Sequence, residues 1–422
     1  MTATSDSTRG EAWVAIDIAK RWNVVLFEAP TGERRRFRVA NTREDHDRFI
    51  AFLQRQPGHC AVAMEPTGVY HRPLAHRLLT EGFAVYLVSS IAVARYREAT
   101  YGTWDKSDPK DAAVILDLLK QGKTLHFHDP LLAGIHDIQE LSKTYMQVAL
   151  ARTRLSHSLQ THYLPLYWPE VQRFWLAVRA AWLPELLCTF PVPAAVLRLD
   201  QATFIREAWT LAGRKVHKKA CLAQIYELAK HTIALPIDPD SLAVETFRLQ
   251  LKQFLALSRQ RAEIESLAER AMGGNADFAL LKTIPGIGSV LALTVLAEAG
   301  DLRRFGHHRQ FLKFCGFDLA RAQSGARKGQ DHLSKRGNAD LRRAFWMAGT
   351  IACRMRENAF QAKLDRYVKQ NPLDKDLRRK ALTAVAAKMA RVAYAVVKTG
   401  TPYQVFFEET VPSGSISLSQ GR

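Results

Sequence analysis

Hydrophobic and polar residues alternate from Trp13 onward in a way that predicts strands. "WVAIDIAK" (13–20) and "WNVVLFEA" (22–29) are β-rich runs with a tight connection, and "RRRFRVAN" (34–41) follows the turn-like "PTGE". The period then lengthens. "TREDHDRFIAFLQRQ" (42–56) reads as a polar helix, "CAVAMEP" (60–66) as a fourth strand, 70–80 as a helix and "FAVYLVS" (83–89) as a strand. Three hairpin-type strands followed by helix and strand alternation is the element order of an RNase H-like α/β sheet, an order that other α/β domains share.

Residues 112–275 read as helices. "LSKTYMQVALARTRLSHSLQTHYL" (141–164) is long enough to be an arm, and "RLQLKQFLALSRQRAEIESLAERA" (248–271) is a second amphipathic run. "PLYWPE" and "FPVP" interrupt the segment between them, which argues against one continuous coiled coil. A projecting helical region between two compact domains is the economical reading, and an ordinary helical domain is the alternative. From 272 a second compact, all-α domain opens. In "TIPGIGSVLALTVLAEAG", Gly286 and Gly288 permit a tight hairpin between two helices, similar to a helix-hairpin-helix element, with amides exposed to hold a phosphate. Loop 321–340 is rich in glycine and basic residues, and basic amphipathic helices continue to about Lys398. Residues 1–11 and 411–422 read as disordered.

Charge changes the picture. The net charge is +19, and residues 301–400 carry 23 Lys and Arg against 8 Asp and Glu. A field of that size draws polyanions, so nucleic acid is the first partner to expect. The five cysteines (60, 188, 221, 315 and 353) form no CxxC, which argues against a zinc ribbon or a disulfide framework and suits reduced thiols in the cytoplasm. No run approaches the roughly 18 apolar residues of a membrane span. A soluble intracellular protein without membrane partners is expected.

Carboxylates supply the first candidate chemistry. Asp17 lies near the end of the first strand, and Glu65 closes the fourth just before a proline. Two carboxylates at adjacent strand ends can meet, with Asp108 and Asp111 of "KSDPKDA" adding oxygens from a helix start. Such a set suits a hard divalent cation such as magnesium in phosphoryl transfer. Asp108 and Asp111 also have the spacing of a capping box around Pro109, and the two roles can coexist. Asp17 alone could be a turn residue and Glu65 could merely pair with a lysine, while Asp105 could replace Asp108 on chemistry alone.

Serine supplies the second. Ser324 in "AQSGARKG" can attack a phosphodiester if its proton and the developing charge are managed. Arg327, Lys328, Lys335, Arg336, Arg342 and Arg343 offer electrostatic help and nucleic-acid contacts. His332 is near in sequence, but spacing reveals no general base. A simple Ser-Gly turn is the plainer reading. Phe345 and Trp346 could stack on bases, although core packing is the usual fate of a helical aromatic pair.

Taken in order, "VAIDIAK", "AMEPTGVY", "KSDPKDA", "IPGIG", "DLRRFGHHRQFLKFCGFDLARAQSG", "LSKRGNADLRRAF" and "KMARVAYAVVKTGTPY" resemble the IS110-type transposases, RNA-guided DNA recombinases of prokaryotic insertion sequences. The resemblance spans about 12–405. It implies a RuvC-like domain (12–125) with a DEDD set at Asp17, Glu65, Asp108 and Asp111, a helical linker with a coiled coil (126–275), and a transposase domain (276–405) whose catalytic serine is Ser324. By motif it selects Asp108 over Asp105. It further implies magnesium and a structured guide RNA encoded by the element, which pairs with donor and target DNA so that base pairing carries specificity. Dimers on each DNA, a tetramer at synapsis, composite active sites, and cytoplasmic action at the nucleoid follow from the same resemblance. No GxxxxGK[ST] loop occurs, consistent with exchange that conserves phosphodiester energy. Two rivals stand beside it: a RuvC-type metal-dependent nuclease or junction resolvase using water, and a non-catalytic nucleic-acid-binding protein.

Overall fold

The predicted antiparallel meander forms from β1 (Glu11–Asp17), β2 (Trp22–Glu28) and β3 (Arg34–Ala40). The computed structural model describes residues 11–101, 108–176, 182–211, 217–320, 323–324, 327–328, 332–355 and 358–404, with the side chains of 108–109, 176, 323–324 and 327–328 outside the description. Two compact units divide at His136 and Asp137. Asp105 and residues 1–10 and 411–422 lie outside the described residues, whereas Glu11, expected in the disordered lead, pairs as the first residue of β1.

In the first unit α1 (Arg43–Gln54) begins at Thr42, whose hydroxyl accepts a hydrogen bond from the Asp45 amide. β4 (His59–Glu65) then pairs parallel with β1, and β5 (Ala84–Leu87), reached through α2 (His71–Thr80), pairs parallel with β4. After α3 (Ser90–Tyr101) and α4 (Asp108–Lys120), β6 (Leu125–His126) closes the edge antiparallel to β5. The six-stranded order is β3-β2-β1-β4-β5-β6. Hydrophobic patterning does not announce α3 or β6, because α3 fully buries only Val93 and two residues carry no alternation.

Both faces of this sheet are covered. Val14, Ile16, Val62 and Met64 pack on α1 and α2, whereas Ala15, Ala61 and Ala63 pack on Val93 of α3 and Ile115, Leu116 and Leu119 of α4. Each fully buried aliphatic side chain of this kind contributes about 1.5–3 kcal/mol. The direction of α4 is fixed at its end, where Lys120 pairs with Glu28, the register partner of Trp13. Burial pushes the Glu28 carboxyl up, but hydrogen bonds from Lys120 and Arg34 outweigh it and leave the group below its ordinary value. A depressed folded value means stability present at neutral pH and lost as pH falls from the ordinary carboxylate range toward the folded value. Lys120→Met is therefore expected to move acid unfolding of the sheet to higher pH and to cost about 1 kcal/mol near neutrality, the pair being partly exposed. Circular dichroism along an acid titration checks it.

The second unit begins with an antiparallel helix pair, α5 (His136–Ser158) and α6 (Leu242–Met272). Tyr145 Oη donates to Glu265 at 3.3 Å and Arg152 Nε to Ser258 Oγ at 2.9 Å, so partner numbers fall on one helix as they rise on the other. Between these helices, shorter ones close around their own core of Trp168, Phe204 and Phe247. The expected interruption is thus a helical bundle joined to an antiparallel arm.

Beyond α6, α7 (Ala276–Lys282) and α8 (Ser289–Ala299) form the glycine hairpin. Gly286 holds φ +88° and lies against another backbone, since a Cβ there would stand 2.3 Å from Ala348 O. That carbonyl belongs to α9 (Ala339–Ala352), which packs with α10 (Lys375–Thr399) through Phe345, Ala348, Val385 and Met389. All five cysteines are free, and no helix among the described residues is long and apolar enough to cross a membrane.

Candidate active site

Strand register brings the first two carboxylates together. Asp17 and Glu65 are register partners at the C-terminal ends of β1 and β4. Each lies two residues beyond an alanine that faces α4, Ala15 and Ala63, so alternation puts both on that face. α4 runs antiparallel to β1, because its last residue Lys120 meets Glu28 beside Trp13. Nine helical residues from Lys120 back to Asp111 span about 13 Å. Four strand residues from Trp13 to Asp17 span about the same. Asp111 therefore stands level with Asp17 and Glu65 on the same side of the sheet.

Asp111 is 1% exposed, and its carboxylate receives a hydrogen bond from Arg97 of α3. Glu65 is half-buried and engages no partner among the described residues. The Asp108 side chain lies outside the described residues. Among the described residues no three His, Cys, Asp or Glu side chains stand close enough to form a metal cage. The donor set nevertheless fits a hard cation in kind, as carboxylates on one face near the ends of the two central strands. Binding at Asp111 requires its carboxylate to share or exchange Arg97.

Ser324 lies in a ribbon where the sequence pattern suggests only a loop. β7 (Leu319–Ala320) pairs with β10 (His332–Leu333), and β8 (Gln323–Ser324) pairs with β9 (Arg327–Lys328). Arg327 is the register partner of Ser324, whereas His332 is that of Ala320, so pairing does not put His332 opposite the serine. Strands of two residues give no period to read.

The root of this ribbon is braced. The Ser334 amide donates to Asp318 O at 2.8 Å and the Asn338 amide to Phe314 O at 2.7 Å. Asn338 Oδ1 caps α9 through the Leu341 amide, while its Nδ2 donates to Glu298 at 2.6 Å. Arg342 Nη1 donates to Cys315 O and Lys335 O, both at 3.3 Å. Arg342, expected as a nucleic-acid contact, thus also serves as a strut. Lys335 and Arg336 are exposed, and Arg343 is half-buried with no partner among the described residues. Gly337, at φ +152°, permits the close approach, since a Cβ there would meet Gly316 N and Phe314 O at 2.5 Å. Gly337→Ala is expected to destabilise the second unit by at least about 1–3 kcal/mol, read as a lower denaturation midpoint.

The glycine hairpin differs from expectation. Lys282 Nζ donates to both Glu269 oxygens at 2.6 and 2.9 Å, and the Ser289 hydroxyl donates to the same carboxylate. These hydrogen bonds hold the Glu269 carboxyl below its ordinary value. An internal carboxylate thus meets the start of α8, where the sequence suggested amides open to phosphate. Phe345 is fully buried and Trp346 is 42% exposed, so only the first has the usual fate of a helical aromatic.

Comparison with known proteins gives the class. A family model for transposases of the IS110 DEDD type matches residues 14–169, and one described as "Transposase IS116/IS110/IS902 family" matches 278–365. Together they cover more than half of the chain, with the four acids in the first match and Ser324 in the second. This is a transposase, a class that cleaves and rejoins DNA. The chain belongs to the IS116/IS110/IS902 family. It is 28% identical to a "Probable family 20 transposase" of Pseudomonas aeruginosa over 93% of this chain and 98% of that protein. Similarity to the insertion element IS116 44.8 kDa protein of Streptomyces clavuligerus is 24% identity over 93% and 96%. A pilin gene-inverting protein of Moraxella bovis is 28% identical over 29% of this chain and 38% of its own length.

Proposed function

We propose that the chain is an RNA-guided DNA recombinase that cleaves and rejoins donor and target DNA through a phosphoserine link at Ser324. The observation that carries this reading is the placement of Asp17, Glu65 and Asp111 on one face near the C-terminal ends of the two central strands, in a chain that also displays a serine on a braced ribbon. The sheet order, an antiparallel meander extended by parallel strands, supports a RuvC-like domain. Similarity to a gene-inverting protein favours rejoining over simple cleavage, because inversion requires cut ends to be resealed.

Asp17, Glu65, Asp108 and Asp111 would hold a divalent ion such as magnesium, which supplies charge stabilisation at the scissile phosphate. Ser324 Oγ attacks phosphorus and gives up its proton, while a deoxyribose oxygen leaves and takes one up as a hydroxyl. In rejoining, a hydroxyl from the other DNA attacks the same phosphorus and the serine is released. One phosphodiester is exchanged for another at each step, so no nucleotide hydrolysis is needed. Arg327, register partner of Ser324, with Lys328, Lys335, Arg336 and Arg343, supplies cations along this ribbon for phosphate backbones. Sequence choice rests with the guide RNA. Dimers that join as a tetramer would let one subunit's carboxylates meet another's serine.

The test is a denaturing gel of the full chain with labelled donor and target DNA, the RNA encoded beside its gene, and magnesium. A protein–DNA adduct that requires metal and RNA is expected. Metal-dependent cleavage without an adduct would replace this reading with the water-using nuclease. Binding without any strand scission would favour the non-catalytic protein.

A further inference from the structure

The root of the serine ribbon borders a cleft of about 340 Å³, lined by Phe317, Leu333, Arg342, Arg343, Trp346 and Thr383. Three observations single it out. Trp346 leaves 42% of its surface in solvent, although its neighbour Phe345 is fully buried in the same helix. Arg343, one helical turn before Trp346, is half-buried without a partner among the described residues, which is a costly place for an unpaired cation. Leu333 belongs to β10 and Phe317 precedes β7, so the cleft adjoins the strand pair between whose members Ser324 lies in sequence.

We propose that this cleft takes one unpaired DNA base beside the phosphate attacked by Ser324. The base stacks on Trp346 and its own phosphate lies on Arg343. The proposal rests on the serine reading for its location only. An aromatic face accepts any base, and Arg343, without a partner among the described residues, supplies the matching charge from the same helix face. The cleft stands at the small end for ligand pockets, suited to one nucleotide rather than to a duplex. Arg342 is held by Cys315 O and Lys335 O, which fixes one wall. A pocket for an unpaired base would favour DNA already opened at the exchange point, and so would couple strand opening to attack.

The test compares binding of the full chain to a fluorescent single-stranded oligonucleotide and to its duplex, for wild type, Trp346→Leu, Trp346→Phe and Arg343→Gln. Trp346→Leu is expected to weaken single-strand binding about five- to 150-fold, the range for loss of one aromatic stack, with little change for duplex. Trp346→Phe should retain most of the affinity. Arg343→Gln should lower the salt slope by about one phosphate contact. Ultraviolet crosslinking of an oligonucleotide bearing 5-iodouracil should label the peptide that contains Trp346. Unchanged single-strand binding by Trp346→Leu with native circular dichroism would overturn the proposal. So would a lower oligomeric state of that variant in sedimentation, which would assign the face to a second copy of the chain. Neither readout needs cleavage, so failure of the serine reading shows up separately as an adduct that survives Ser324→Ala.

Discussion

Ser324→Ala is expected to abolish the protein–DNA adduct and to lower strand transfer by roughly 10⁴-fold or more, the scale for loss of an enzyme's covalent nucleophile. The substitution should leave RNA and DNA binding within about twofold, since it deletes one oxygen from a two-residue strand whose pairing with Arg327 is made by backbone. The contrast matters more than the loss. If binding fell with strand transfer, the ribbon itself would have collapsed. If strand transfer survived, the nucleophile would have to be water or another hydroxyl. Adduct yield on denaturing gels, with affinity measured beside it, separates the cases.

Arg97→Met carries the second largest expected effect. Arg97 and Asp111 form a nearly buried pair, with side chains 16% and 2% exposed. Removing the cation strands a carboxylate in a dry environment, which typically costs about 3–5 kcal/mol. The double variant Arg97→Met with Asp111→Asn should recover much of that loss, because the orphaned charge is gone. Denaturant unfolding of the four proteins closes the cycle. Magnesium should raise the melting temperature of Arg97→Met more than that of wild type, since the ion then meets a carboxylate with no resident cation. Equal shifts would argue that Asp111 is a structural acid only.

Much of this was open to reading because strand alternation and helix periodicity repeat over several residues. β1 to β4 stand where "WVAIDIAK", "WNVVLFEA", "RRRFRVAN" and "CAVAMEP" put them. The convergence of Asp17 and Glu65 needed only that their strands be neighbours, and the parallel register supplies it. Other features depend on contacts that no local period encodes. The engagement of Asp111 by Arg97 joins two helices, and arginines in "LRRAF" look alike in sequence although Arg342 braces a ribbon and Arg343 does not. The carboxylate at the glycine hairpin was equally hidden, since Glu269 lies 20 residues before Ser289 on a different helix.

The pairing of Asp17 with Glu65 has a consequence for how the domain reaches its native state. Side chains in a strand alternate, so a slip of one residue between β1 and its neighbours would exchange its two faces. Asp17 would then turn toward the packed side chains of α1 and α2, where an ionised carboxylate has no partner. The acid that equips the domain for chemistry thus also penalises misaligned sheets, and acts as a proofreading mark on strand order during folding. A chain with Asp17→Ala should lose this discrimination and populate misregistered, aggregation-prone forms more often on refolding, even where its native state is no less stable.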